Sequence, residues 1–150
     1  MSLKQQIETD IKTAILARQK AELQALRAIK SMILLAETEK GNDGSVSAEA
    51  ELKLLMKAVK QRKDSAQIYK DQGREDLLTV ELAEIAVIEK YLPKQVSEEE
   101  IRTELEKIVA QVGAAGPQDM GKVMGLASKA LAGKADGKTI SGIVKSILVG

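Results

Sequence analysis

Leu3, Ile7, Ile11, Ala14 and Ile15 recur at the three-and-four spacing of one helical face, and that period continues along almost the whole chain. Nowhere is the apolar–polar alternation of a half-buried strand sustained, and no internal repeat is obvious. A chain patterned this way can only build its core by packing helices on one another. At 150 residues, 44% apolar and 30% charged, it has enough apolar surface for a packed core. The fold class expected is all-α.

Punctuation divides the pattern into seven helices. The first runs from about Ser2 to Arg18 and the second from Ala21 to Lys40, with Leu26, Ile29, Ile33 and Ala36 on one face. The run Gly41-Asn42-Asp43-Gly44-Ser45 is a turn. Ser47 is an N-cap for a third helix to about Gln72, and Gly73 takes the left-handed position that closes it. A fourth helix opens at Arg74-Glu75-Asp76, continues to Leu92 and stops at Pro93. Ser97 and Glu100 then form a capping-box pair for a fifth helix ending at Gly113. A sixth spans Gln118 to Leu131, and a seventh Gly137 to Leu148 with Asp136 as N-cap. Eight of the eleven glycines lie in residues 113–150, so the chain is divided at Pro93–Val96. An antiparallel four-helix domain, residues 1–93, is expected to precede a small three-helix tail domain, residues 94–150.

Composition removes whole classes of chemistry. There is no cysteine and no histidine, hence no disulfide, no Cys/His zinc site, no imidazole base and no catalytic triad. Tyr69 and Tyr91 are the only aromatics, too few for a platform that stacks bases. None of the nine serines has an evident base, and phosphate-binding glycine motifs are lacking. The segment Asn42–Glu51 fails the calcium-loop pattern, with Gly41 and Ala50 at ligand positions. No catalytic residue, metal or cofactor is expected. Without an apolar leader or a stretch able to span a bilayer, the expected protein is soluble and cytoplasmic, with no membrane partner.

Charge is unevenly placed. The whole chain carries +1, but residues 107–150 hold six lysines against Asp119 and Asp136, a net +4. Lys122 and Lys129 are seven apart on the sixth helix, and Lys138 and Lys145 repeat that spacing on the seventh, so each pair shares a face. Between them, the turn from Gly133 through Lys134 to Lys138 leads into a helix N-terminus, where backbone N–H groups beside lysines can hold a phosphate. Polyanion binding and a merely solvated surface both fit this pattern. Lys53, Lys57 and Lys60 make a second stripe on the third helix, interrupted by Asp64 and Asp71, and read as a solvated helix back. On the fourth helix the apolar arc from Leu77 to Leu92 exceeds half the circumference, with Glu81 and Glu84 inside it. Arg62 flanks and Lys63 falls inside the apolar face of the third. Charges in a core need partners, so Arg62 or Lys63 is expected to pair with Glu81 or Glu84 as a structural ion pair.

The segments Val59-Lys60-Gln61-Arg62-Lys63-Asp64-Ser65, Gly73-Arg74-Glu75-Asp76-Leu77, Tyr91-Leu92-Pro93-Lys94-Gln95, Asp119-Met120-Gly121-Lys122-Val123-Met124-Gly125 and Gly133-Lys134-Ala135-Asp136-Gly137-Lys138 together resemble the YqeY family (GatB/YqeY) of small bacterial proteins. That family is similar to the C-terminal helical and tail region of the B subunit of the glutamine-dependent aspartyl/glutamyl-tRNA amidotransferase, a carbon–nitrogen ligase. The resemblance implies a tRNA-interacting accessory module. It carries nucleic-acid contact onto Gly121, Lys122, Gly125, Gly133, Lys134 and Lys138, beside Lys129 and Lys145 from spacing. Gly137 stands where those tails often have proline, which makes the turn less rigid. The amidase and kinase-like chemistry of the ligase lies outside the tail, and nothing in this chain matches it. The partners implied are tRNA, held weakly and electrostatically, and a translation or amidotransferase protein. The alternative is a helical protein–protein adaptor without RNA.

Overall fold

The computed structural model describes residues 2–39, 41 and 43–149. Among them are seven α-helices, one 3₁₀ turn and no strand. The chain separates into two compact units, residues 1–93 and 94–150.

In the first unit, α1 (Leu3–Leu16) packs on α2 (Lys20–Glu37), and α3 (Ala48–Asp71) on α4 (Glu75–Glu89). Ser2 opens α1 with a complete capping box: its hydroxyl accepts from Gln5 N and its own N–H donates to the Gln5 side chain. The ion pairs Lys4–Glu37 at 3.1 Å and Lys30–Glu8 at 3.4 Å tie α1 and α2 in antiparallel register. α1 stops two residues earlier than its periodicity indicates. Arg18 adopts φ 56°, and the Gln19 amide folds back on the Ala14 carbonyl at 3.0 Å. This is the left-handed closure that glycine takes without strain, here made by arginine. Ile7, Ala14, Leu26, Ile29, Ile33, Leu55, Val59, Ile85 and Ile88 are among the residues that fill the core. Tyr91, just past α4, donates its hydroxyl to the Asp10 carboxylate, and burial together with that acid pushes its phenol well up. α4 ends at Glu89 rather than Leu92: the amides of Lys90, Tyr91 and Leu92 donate to the Val87, Ile88 and Glu89 carbonyls in a tightened last turn, which Pro93 stops. The expected end of α2 at Lys40, and Asn42 of the turn, lie outside the described residues.

In the second unit, α5 (Glu98–Val112), α6 (Met120–Ala130) and α7 (Gly137–Val149) each contact the other two. Ser97 caps α5 by accepting from Glu100 N at 3.2 Å, and Gly113 closes it at φ 66°. A 3₁₀ turn, Pro117–Asp119, leads into α6, with the Asp119 carboxylate accepting from Ala115 N at 3.0 Å. Ile101, Leu105, Ile108, Val123, Ala127, Leu131, Ile140, Val144 and Leu148 form a separate core. Among the described residues no helix is long and apolar enough to cross a membrane.

Candidate functional site

In α6 the inward stripe is Met120, Val123, Met124 and Ala127, continued by Leu131. Helical geometry therefore turns Lys122, Gly125, Leu126 and Lys129 outward, and all four are exposed. In α7 the inward residues are Ile140, Ile143, Val144, Ile147 and Leu148, which turns Lys138, Gly142 and Lys145 outward, again exposed. Lys134 lies exposed in the turn between the two helices. None of Lys122, Lys129, Lys134, Lys138 and Lys145 forms an ion pair with a described residue.

The turn itself differs from expectation. The amides of Lys134 and Ala135 both donate to the Leu131 carbonyl, at 2.9 and 3.3 Å, so they are not offered to an anion. Gly133 is buried rather than exposed with the lysines. Its φ is 72°, and its carbonyl accepts from Gln95 Nε2 at 2.6 Å, while Val96 N donates to Lys134 O at 3.2 Å. Gly133 shapes the turn, and the Lys134 and Lys138 side chains stand exposed beside it.

Gly121 and Gly125 differ from Gly133. They sit in regular helix on the exposed side, and a methyl group added at either would meet nothing within 4 Å. The same is true of Gly142, which the sequence reading did not single out. The signal was available: Gly142 lies between Lys138 and Lys145 as Gly125 lies between Lys122 and Lys129 on the preceding helix. Each helical glycine costs about 0.5–1 kcal/mol relative to alanine. No packing within the unit requires one at these positions, and the lysine-bearing faces are left low enough for another backbone to approach.

The charged group of the first unit is arranged differently. Arg62 Nε lies 2.8 Å from Glu84 Oε2, both side chains largely buried, and Arg62 Nη1 donates to the Ala58 carbonyl at 3.3 Å. Lys63, placed within the apolar face by its periodicity, is instead exposed and reaches Glu89 at 3.9 Å. Glu81 Oε2 is enclosed and has no hydrogen-bond partner among the described residues. Burial, then the neighbouring Glu84, push the Glu81 carboxyl above its usual range, with Arg62 drawing it the other way. Lys53 of the second lysine stripe pairs with Glu49 at 3.2 Å, and Lys57 and Lys60 are exposed. An open groove of about 760 Å³ runs beside the start of α3, lined by Glu39, Ser45, Lys53, Leu54 and Lys57 among others. Among the described residues no three His, Cys, Asp or Glu side chains converge where a metal ion could be held.

A family model described as Yqey-like protein matches residues 4–148. The chain is 36% identical over 111 residues to a protein of Clavispora lusitaniae named altered inheritance of mitochondria protein 41, mitochondrial, which covers 72% of this chain and 63% of that one. A protein of the same name from Meyerozyma guilliermondii is 35% identical over 124 residues, 80% of this chain and 64% of that one. The chain thus spans a little under two thirds of the length of these relatives.

Proposed function

The chain belongs to the YqeY family, and on that footing we propose that its second unit binds folded tRNA through the phosphate backbone, as an accessory module related to the tail of the amidotransferase B subunit. The observation that carries the reading is the set of five exposed lysines on α6, α7 and the intervening turn, none held by a carboxylate of a described residue. Free ammonium groups on a solvated face have lost nothing that phosphates must replace, and each phosphate contact releases a condensed counterion. Exposed Gly121, Gly125 and Gly142 let a sugar–phosphate backbone come close to the helices. With two tyrosines in the whole chain and neither in this unit, recognition is by charge and shape, with little reading of base edges.

Transfer of an amide to tRNA would belong to a partner. This chain supplies no nucleophile–base pair and no nucleotide loop for such chemistry, so its part is to hold the RNA. The proposed compartment is the one in which the tRNA is aminoacylated, the cytoplasm of a bacterial cell.

The test compares the full chain with Lys122→Glu, Lys134→Glu and Lys138→Glu, using tRNA and an unstructured RNA of equal length at about 50 mM salt. The reading requires preference for tRNA and weaker binding in all three variants. If tRNA is not bound, or if all three variants bind as the parent does, the tail is not an RNA surface and the adaptor reading replaces this one.

A further inference from the structure

Helix α1 ends on two adjacent aliphatics that the core does not take. Ile15 is 50% exposed and Leu16 85%. Lys12 precedes them by three and four residues, so helical geometry gathers the three side chains into one patch. A lone exposed aliphatic is ordinary on a soluble protein, but two neighbours on the last turn of one helix leave a local apolar tip in water.

Charge around this tip has one sign. Residues 1–36 carry six basic side chains and three acidic ones. Each acid is engaged: Glu8 by Lys30, Glu22 by Lys90 and Asp10 by the Tyr91 hydroxyl. Lys12, Arg18, Lys20 and Arg27 are exposed, and none forms an ion pair with a described residue. The Glu8–Lys30 bridge marks the side on which α1 and α2 meet at the surface. Lys12 lies one turn beyond Glu8 and Arg27 one turn before Lys30, so both stand on that side and nearer the corner. Lys20, seven residues before Arg27, shares its face, and Arg18 is the corner residue itself, at φ 56°.

We propose that the α1–α2 corner is a contact for an anionic lipid surface. Ile15 and Leu16 enter the boundary between headgroups and acyl chains, and Lys12, Arg18, Lys20 and Arg27 stay among the headgroup phosphates. A protein partner suits the corner less, because a stable interface covers about 800 Å² a side around an apolar centre, and two aliphatics at a helix end supply no such centre. RNA would answer the cations and leave both aliphatics in water. The expectation of no membrane partner rested on a leader and a spanning stretch, and surface contact of this kind needs neither. The inference is independent of the RNA reading, which concerns the other unit.

The probes are two kinds of vesicle, phosphatidylcholine with about 30% phosphatidylglycerol and phosphatidylcholine alone, floated with the full chain at about 0.1 M salt. The anionic vesicles should bind the chain at least ~10-fold more tightly than the neutral ones. Leu16→Ser should weaken that binding about 10-fold, the effect of keeping one aliphatic out of the lipid. Lys12→Gln and Lys20→Gln should each weaken it about 5-fold. Leu126→Ser, at a leucine 44% exposed between the lysines of α6, should leave it unchanged and so excludes the other basic surface as the cause. Circular dichroism checks helicity, and Ile15→Ser takes the place of Leu16→Ser if that variant loses structure. Equal binding to both vesicles, binding to neither, full binding by Leu16→Ser, or a loss in Leu126→Ser instead overturns the proposal. So does a dimer of the free chain that Leu16→Ser dissolves, which would seat a second copy on the tip. Weaker tRNA binding by Lys12→Gln and Lys20→Gln with lipid binding intact also overturns it and makes the corner an RNA surface.

Discussion

Arg62 and Glu84 show what a helix period reveals about a single residue and what it leaves open. Spacing places both near the apolar faces of their helices, so each demands a partner, but it cannot tell which of two acids Arg62 meets. The structure pairs Arg62 with Glu84 at 2.8 Å and leaves Glu81 Oε2 enclosed and unpaired. Lys63 escapes the face assigned to it because one position of helix turn, with a long flexible stem, brings its ammonium out to Glu89. Two expectations follow for urea unfolding. Arg62→Met leaves Glu84 buried without a cation and should cost about 3–5 kcal/mol, much of it recovered in Arg62→Met/Glu84→Gln; losses of tenths that simply add would contradict the pairing. Glu81 has the opposite sign of pH dependence from a salt-bridged acid. Its pKa is raised by burial, so the native state holds the proton longer than the unfolded chain does. Its contribution is fully present below the unfolded carboxyl pKa and is lost as pH rises through the higher folded value. The urea midpoint of the parent should therefore fall more than that of Glu81→Gln as pH rises from about 4 into the neutral range. Some decline should remain from Glu51, which burial also raises.

Helix ends that rest on Ser, Gly or Pro are legible in the chain. Ser47, Ser97, Gly73 and Gly113 stand at the caps and turns where their chemistry places them. The break after α1 is not legible in that way, because Arg18 takes a left-handed conformation for which arginine carries no signal. Breadth of burial is also hidden from periodicity. The wide apolar arc of α4 is plain in the sequence, yet only the packing shows that Leu77 to Leu82 are left outside the core. Glycine raises a related question on α6 and α7, where lysine-bearing faces hold glycines that nothing in the unit requires. Gly125→Ala should stabilise the chain by about 0.5–1 kcal/mol in urea while weakening tRNA binding. Stabilisation with undiminished binding would mean that close backbone approach plays no part.

At the scale of the molecule, a near-neutral chain conceals an uneven placement of charge. The helical composition of both units, their cores and the exposed lysine faces could be read from spacing, since aliphatic period and charge placement are local properties. The buried setting of Gly133 could not, because it depends on Gln95 folding back onto the turn from 38 residues away. The second unit carries a lysine-bearing surface whose charges no described residue pairs. Phosphate binding by this surface, as proposed, is tested most directly by the salt dependence of tRNA affinity. With about four phosphate contacts and a slope of roughly 0.7–0.9 log unit per contact, affinity should fall some 50- to 150-fold between ~50 and ~200 mM salt. Each of Lys122→Gln and Lys138→Gln should lower the slope by about one contact. A shallow slope in the parent, or slopes in the variants that match it, would contradict the claim.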